Sequence, residues 1–576
     1  MIKNSAHIVN DQLQECELDL IIRNANIFDG TGTDASIGDV AIKSGMIAAI
    51  GSSLPDTGAE EIDATGLSLM PGIIDSHTHF DAQITWDTTL APSSTLGVTS
   101  VVIGNCGFTI APCRAPDRDL TMRNLTQVEG MSIDVLRQGI NWNFESFPEY
   151  LDSLERGGMT MNVAAFMGHS SIRTYVMGAD AVERAANDDE LDQMRKIVEE
   201  GMAAGAIGFA TSTAPQHNGD GGVPMPSRMA DVNELNTLVG AMGSAGKGVF
   251  MLTKGGQTEI SYLESLAENS GRPVMIAALL HNSTKPNATF DDLAAIGEAR
   301  SRGNELWGQI SCCPLTNDFT FKSAYPMEGL AAWKPAMQVE GEALKALLMD
   351  PEFRQRVKDE LAEPVGVRLF NNEWNKLELI EVSDPANQHL EGQTVDRLAA
   401  DAGKDPMDWI LDFAVSENLE SLFTAVLLNS DETAVGKMIR DPNASVSLSD
   451  AGAHLTFFCD AGFGLHLMGH WARDLGTLTL PQAIHELTAK PAAIYRIPKR
   501  GKIKVGYHAD LLLFDAETVG RGPKRRVHDL PGGAARLTTD AVGLHGTWVN
   551  GVQVSNDKGL TDAGLKPGQL LRSFNS

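Results

Sequence analysis

The chain has too few bases for its acids, too few cysteines for a disulfide framework, and no apolar stretch that could cross a bilayer. Lysine and arginine total 46 against 75 aspartates and glutamates, a formal net charge of −29. A surface that acidic is repelled by phosphate backbones and anionic lipid, which argues against nucleic acid and membrane as partners. The six cysteines are Cys16, Cys106, Cys113, Cys312, Cys313 and Cys459. Spread over 576 residues they staple nothing, so a cytoplasmic chain with reduced thiols is expected. The opening MIKNSAHIVNDQLQECELDL lacks the apolar core of a signal peptide, and no run approaches the roughly 20 apolar residues of a membrane span. Low-complexity tracts and sustained like-charge blocks are missing too, so the expectation is a folded chain rather than a disordered one.

What is present is enough apolar residue, 43%, to bury a sizeable core, and a length that suits a large barrel with an accessory domain. Both ends are β-rich. LDLIIRNANIFDG and DVAIKSGMIAAIG near the start share their texture with GKIKVGYHADLLLFD and GLHGTWVNGVQV near the end. This predicts a small β-sandwich assembled from residues 1–68 and 499–576 around a central barrel, 69–498. The middle alternates apolar strand-like runs with amphipathic helical stretches such as DELDQMRKIVEEGMAAG. The runs are IIDSH, TSVVIGN, NVAAFMG, AIGFATS, GVFMLT, PVMIAAL, LWGQIS and SVSLSD. That is the count a closed (β/α)₈ barrel of the TIM type needs, and the fold class expected is α/β. Between the seventh and eighth runs the spacing is far too long for one loop and helix. Residues of about 316–440 are therefore expected to form an insertion, suited to a lid over the site or to a contact with a second copy in a homo-oligomer.

The chemistry concentrates in MPGIIDSHTHFDAQ, Met70 to Gln83. Residues i and i+2 of a strand share a face, so His77 and His79 can converge on one point. A convergent imidazole pair at a strand end suits zinc or a similar divalent ion. Asp75 is placed to orient that pair or a neighbouring strand. Asp450 closes the eighth run, where a carboxylate can take a proton from an attacking water and pass it to a leaving nitrogen. The competing reading of Asp450 is a helix cap.

PGIIDSHTHFD resembles the first-strand signature of the amidohydrolase superfamily. GNCGF (Gly104 to Phe108), FMGHSSIR, GAIGFATS and LSDAGAH resemble, in that order, its D-aminoacylase branch, the N-acyl-D-amino-acid deacylases. The resemblance implies a barrel with a β-sandwich, a metal-activated water, and one or two ions of zinc or another divalent metal. It makes Cys106 a thiolate ligand beside His77, His79 and His281, with Asp450 as ligand and as catalytic acid and base. It places His169 behind the ligands or against substrate, gives His454 an orienting or substrate-contacting role, and leaves Arg173 structural. Two departures stand out. Where the branch has a Thr-His pair after strand five, this chain has Thr253-Lys254, so Lys254 is a ligand only if deprotonated or carbamylated, and otherwise a substrate contact. Where the branch clamps a carboxylate with a lysine after the strand-six histidine, this chain has Ser283, and no arginine follows Asp450 until Arg473. Lys254 or Lys285 could supply the missing charge.

The expected function is hydrolysis of an amide C–N bond in an N-acyl small molecule, with that molecule as the partner. One alternative keeps the fold and changes the bond to a cyclic amide, carbamate or lactone. Another is a barrel without catalysis that serves as a binding protein, and a product assay separates them.

Overall fold

A computed structural model describes residues 18–56, 58–256, 258–363, 370–453 and 460–575. Its centre is an eight-stranded sheet, every neighbour parallel. In chain order the barrel strands are Ile73–Asp75, Val98–Ile103, Asn162–Gly168, Gly208–Ser212, Val249–Thr253, Val274–Ala277, Leu306–Ile310 and Ala444–Val446. Each overlaps one of the eight expected runs, with Val98 and Ala444 added at the start of two of them. These strands are almost continuously buried, as parallel strands covered by helices on one side and a filled interior on the other must be. The first and last strands meet through a parallel bridge between Thr78 and Ala451, which curls the sheet shut.

The helices follow local rules. Ser146 caps Phe147–Gly157 and Asn187 caps Asp188–Ala204, each with a glutamate three residues on that returns a hydrogen bond. Their apolar stripes (Tyr150, Leu151 and Leu154; Met194, Val198 and Met202) enter the barrel's core. Among the described residues no helix is long and apolar enough to cross a membrane.

The two chain ends share a nine-stranded mixed sheet, in which Leu511–Phe514 pairs on one side with Ser68–Pro71 and on the other with Leu544–Val549. Strand alternation makes Leu511–Phe514 a joint between two cores. Leu511 and Leu513 pack with Trp548 inside the end-to-end sheet, while Leu512 and Phe514 pack into the barrel.

The insertion has a core of its own. Strands Leu315–Phe319, Leu377–Glu381 and Leu422–Leu428 form an antiparallel sheet, with Gly341–Leu348, Pro351–Ala362, Val395–Asp401 and Pro406–Ser416 as its helices. Phe321, Trp333, Phe353 and Phe423 fill its interior. Helix Glu432–Ile439 belongs elsewhere, because Val435, Met438 and Ile439 are buried in the barrel's core. Between the insertion and the barrel loops lies an open cleft of about 1130 Å³, reaching from Asn317–Thr320 and Glu381–Ser383 to Gly130–Ser132.

Candidate metal centre

The carboxyl end of barrel strand one is pinned from both sides. Thr78 donates its N–H to Val102 O at 3.2 Å and its hydroxyl to the same oxygen at 2.8 Å, on strand two. On the other side His79 N–H reaches Ala451 O at 2.7 Å and Asp450 N–H reaches His77 O at 3.1 Å. With Thr78 turned to its neighbour, His77 and His79 face inward together, both buried. Cys106 occupies a tight turn after strand two with φ +58°, and Asp450 has φ +56°. Left-handed backbone is uncommon for such residues and clusters where a scaffold holds functional side chains. Glycine makes room beside both: a Cβ on Gly107 would stand 2.6 Å from Ala210 O, and one on Gly452 2.7 Å from the His79 carbonyl carbon.

Three donor atoms converge, with a carboxylate oxygen close to two of them. Cys106 Sγ is 3.5 Å from His77 Nε2 and 3.9 Å from His79 Nε2. Asp450 Oδ1 is 3.3 Å from His77 Nε2 and 3.1 Å from His79 Nε2. Donors held about 2.0–2.3 Å from a tetrahedral ion stand roughly 3.3–3.8 Å apart, so this spacing fits one divalent cation. Among the described residues, His77, His79 and Cys106 are the group whose donor atoms lie close enough together to hold a metal ion. The far nitrogens are held from behind. His77 Nδ1 lies 2.7 Å from Gln309 Oε1, an acceptor, so a neutral ring would carry its proton on Nδ1 and keep the Nε2 lone pair for a metal. His79 Nδ1 lies 3.1 Å from Glu129 Oε1. The Thr253 hydroxyl donates to Cys106 Sγ at 3.0 Å.

Charges in the group balance through protons when no cation is present. Burial works against an imidazolium at His77, but the Cys106 thiolate and Asp450 outweigh it and lift this group to about 10. His79 is raised likewise, against its burial, by Glu129 and Asp450. Burial opposes ionisation of Cys106 and of Asp450, yet the two imidazoles hold both below their ordinary values. A divalent ion bound here would have to displace those protons from the imidazoles, so its affinity would fall as pH falls. His77, His79, Cys106 and Asp450 enclose a cavity of about 70 Å³ with Phe108, Glu129, His217, Thr253 and Ala278.

Other expected residues fall elsewhere. Lys254 turns its Nζ to Asp292 Oδ2 at 3.0 Å and does not line the cavity. His281 is buried, its main chain bonded to Asn429, but it is not part of the converging group. Ser283 donates its hydroxyl to Glu373 Oε1 at 2.9 Å, Lys285 is exposed, and Arg473 bonds Asp474 and Val519 O. Asp75 orients no imidazole. Its carboxyl, pushed up to about 7 by burial, takes the Ser449 hydroxyl and the His77 N–H. Gln309 holds the His77 ring by a hydrogen bond, and Glu129 stands beside His79 as an ion-pair partner. His169 lines a separate cavity of about 250 Å³ with Thr211 and Tyr262. His454, Cys16 and Cys459 lie outside the described residues. Cys113, Cys312 and Cys313 are buried free thiols.

Sequence reasoning did not single out Gln309, Glu129, His217 or the contact of Thr253. Gln309 carries a local signal, the one amide in the apolar strand LWGQI. Glu129 and His217 carry none, because each reaches the cavity from a loop.

The amidohydrolase family model matches residues 60–345 and 358–555. The chain belongs to the amidohydrolase family. D-aminoacylase of Alcaligenes xylosoxydans xylosoxydans is 27% identical over 563 residues, covering 96% of this chain and 97% of its own length. N-acyl-D-glutamate deacylase of the same organism is 26% identical over 565 residues, with 96% and 97% covered. The solved N-acyl-D-glutamate deacylase of Bordetella bronchiseptica, complexed with zinc and a phosphonate inhibitor, superposes with a TM-score of 0.66 at 23% identity, covering 97% of this chain and all of the other. A D-aminoacylase structure gives 0.65 at 23% identity and the same coverage.

Proposed function

We propose that the protein is a metal-dependent hydrolase of an amide C–N bond in an N-acyl small molecule. The observation that carries this reading is the convergence of His77 Nε2, His79 Nε2 and Cys106 Sγ at the carboxyl end of the barrel, with Asp450 Oδ1 beside both imidazoles. Active sites of such barrels are built at that end. The donor set of two nitrogens, a thiolate and a carboxylate suits zinc, which when bound would polarise a carbonyl and ease deprotonation of water. The rest is the work of this chain's own residues. Gln309 and Glu129 hold the two imidazoles in place from behind. Asp450 accepts a proton from the attacking water and hands it to the departing nitrogen. With Lys254 paired to Asp292 and His281 outside the group, one ion per chain is the expected stoichiometry.

The substrate is read from what is missing. Ser283 faces Glu373 where a carboxylate clamp would need a cation. A carboxylate stripped of water without a cationic partner is costly to bury. Neutral or bulkier amides are therefore preferred over free N-acyl-D-amino acids. The test couples metal analysis of the purified protein to a comparison of kcat/KM for N-acyl-D-amino acids and for their amides. Neutral amides should win. Turnover confined to the free acids would refute the neutral-substrate reading, and full activity in metal-free protein would sink the mechanism.

A further inference from the structure

Two segments line both the metal cavity and the open cleft beside the insertion. The one that follows helix Arg118–Val128 gives Glu129 to the cavity and Gly130 to the cleft. The one that follows barrel strand four gives His217 to the cavity and Asp220 to the cleft. Gly130 has φ +63°, a left-handed turn that lets neighbouring residues face different spaces. The cleft therefore adjoins the metal centre and is its approach from solvent.

Glu129 is 3% exposed, yet its carboxylate is underused. Oε1 stands 3.1 Å from His79 Nδ1, an ion-pair distance, and neither oxygen accepts an aligned hydrogen bond among the described residues. An ionised carboxylate can accept about four hydrogen bonds, and the His79 ring has one N–H to offer on that side. Leaving such a group unpaired in the interior is costly, so it calls for a donor inside the cavity that it lines. Charge selects the kind of donor. The two positive charges of a divalent ion would be matched by the Cys106 thiolate and the Asp450 carboxylate, which leaves the charge of Glu129 over. The other acid near Glu129 is Asp81, a carboxyl as well. The cleft has the same sign, with Asp220, Asp318, Glu328, Glu381 and Glu420 in its lining against Arg526. Arg123 pairs with Asp220 and Lys322 with Glu420, and no ion pair reaches Asp318 or Glu381 among the described residues. A cleft of one sign with low-dielectric walls concentrates ligands of the other.

We propose that Glu129 is a specificity-determining residue that binds a protonated amine of the substrate, within a few bonds of the scissile amide, with the acidic cleft as the route of entry. The short reach follows from the cavity of about 70 Å³ that Glu129 shares with His77, His79, Cys106 and Asp450. A hydrogen bond from an ammonium to a carboxylate is among the stronger ones available to a small ligand. This rests on the hydrolase reading and narrows it. Among amides that lack a carboxylate, a cationic substituent is favoured over an uncharged one.

The test uses zinc-loaded full-length protein, titrated calorimetrically with two methylphosphonamidates, stable tetrahedral mimics whose nitrogen carries an aminoethyl or a propyl tail. The pair differs by an ammonium in place of a methyl. Wild type should bind the aminoethyl probe roughly thirtyfold more tightly, the scale of one hydrogen bond to a charged group. Glu129→Gln should bring the two affinities within about threefold, the scale of a neutral hydrogen bond. Glu129→Asp keeps the charge and should retain a preference between these. Each comparison is a ratio on one zinc-loaded variant, so a general loss of affinity cancels. Equal affinities in wild type overturn the proposal, as do failure to bind either probe, a preference that survives in Glu129→Gln, and an aspartate variant no more selective than glutamine. Raising salt should lower kcat/KM for N-(aminoethyl)acetamide and leave that for N-propylacetamide unchanged, and Asp318→Asn/Glu381→Gln should flatten the dependence. A cationic amide indifferent to salt overturns the entry route. If probe preference follows Glu129 but neither acetamide is hydrolysed, the hydrolase reading fails and the Glu129 assignment stands. If both are hydrolysed with equal kcat/KM, the assignment fails and the reading stands.

Discussion

The barrel buries two groups of imidazole and carboxylate near the carboxyl ends of its strands, and only one of them leaves atoms for a ligand. In the first, His77 and His79 each have Nδ1 held from behind while Nε2 turns inward toward Cys106 and Asp450. In the second, both nitrogens of His169 are used, Nδ1 with Thr211 Oγ1 at 2.7 Å and Nε2 with Glu234 Oε1 at 2.8 Å. The other oxygen of Glu234 takes the Arg173 guanidinium, which also reaches Ala181 O at 3.2 Å and Arg184 O at 2.8 Å. A histidine with both nitrogens committed has nothing left to coordinate. Its group holds helices to the barrel, whereas the first holds an opening. Composition alone does not distinguish them, since each contains histidine and carboxylate in full burial.

The comparison breaks if the two groups respond alike to substitution. The largest effect is expected from His77→Ala/His79→Ala, which should lower turnover by about 10³ or more and remove the bound metal. Its thermal midpoint should stay near wild type, because the barrel's core does not depend on those side chains. Metal analysis and a melting curve check both halves, and a collapsed fold would make this group structural after all.

Glu234→Gln should do the reverse. Breaking a buried pair by removing one charge costs about 3–5 kcal/mol of stability, while metal per folded chain stays unchanged. Burial alone would raise the Glu234 carboxyl, but His169 and Arg173 outweigh it and hold it at about 2. A carboxyl depressed in the folded state contributes its full stability above its unfolded value, about 4.3, and loses it as pH falls toward the folded value. Denaturant midpoints of wild type should therefore decline from about pH 4.5 toward 2, and those of the variant should decline less over that window.

Asp450→Asn keeps the size of the side chain and removes the proton acceptor. A fall in kcat of about 10² or more is expected, with metal still bound. Turnover close to wild type would assign the base elsewhere. The smallest effect belongs to Lys254→Ala. Its partly exposed pair with Asp292 should contribute no more than about 1 kcal/mol, and metal content should not change. A loss of metal in that variant would return Lys254 to the ligand set.

Much of the centre is legible in the chain. His77-Thr78-His79 is readable because period-two alternation on a strand needs no knowledge of distant residues. Cys106 is readable only by resemblance, since a lone cysteine in an apolar stretch has no local mark, and its inward aim depends on a left-handed turn flanked by glycines. Lys254 shows the limit of alignment. Its position after strand five invited a ligand role, and the direction of its side chain is decided by Asp292, thirty-eight residues away. Gln309 and Glu129 reach the imidazoles across 232 and 50 positions of sequence, distances over which no periodic pattern carries information. Asp75 is the converse case, a plausible orienting carboxylate by position that the fold gives instead to Ser449.

By itself the sequence determined which segments are strands and helices, that eight of the strands are parallel and buried, that two imidazoles share a face, and that a long segment interrupts the last barrel unit. These follow from periodicity, capping and spacing, which act within a few turns of chain. Tertiary structure alone decided which nitrogens remain open, that the strand-five lysine leaves the site, that the insertion carries its own core, and that a loop histidine enters the cavity wall. Those outcomes depend on contacts between residues far apart in sequence, where the cost of leaving a buried polar atom unpaired selects one partner among many.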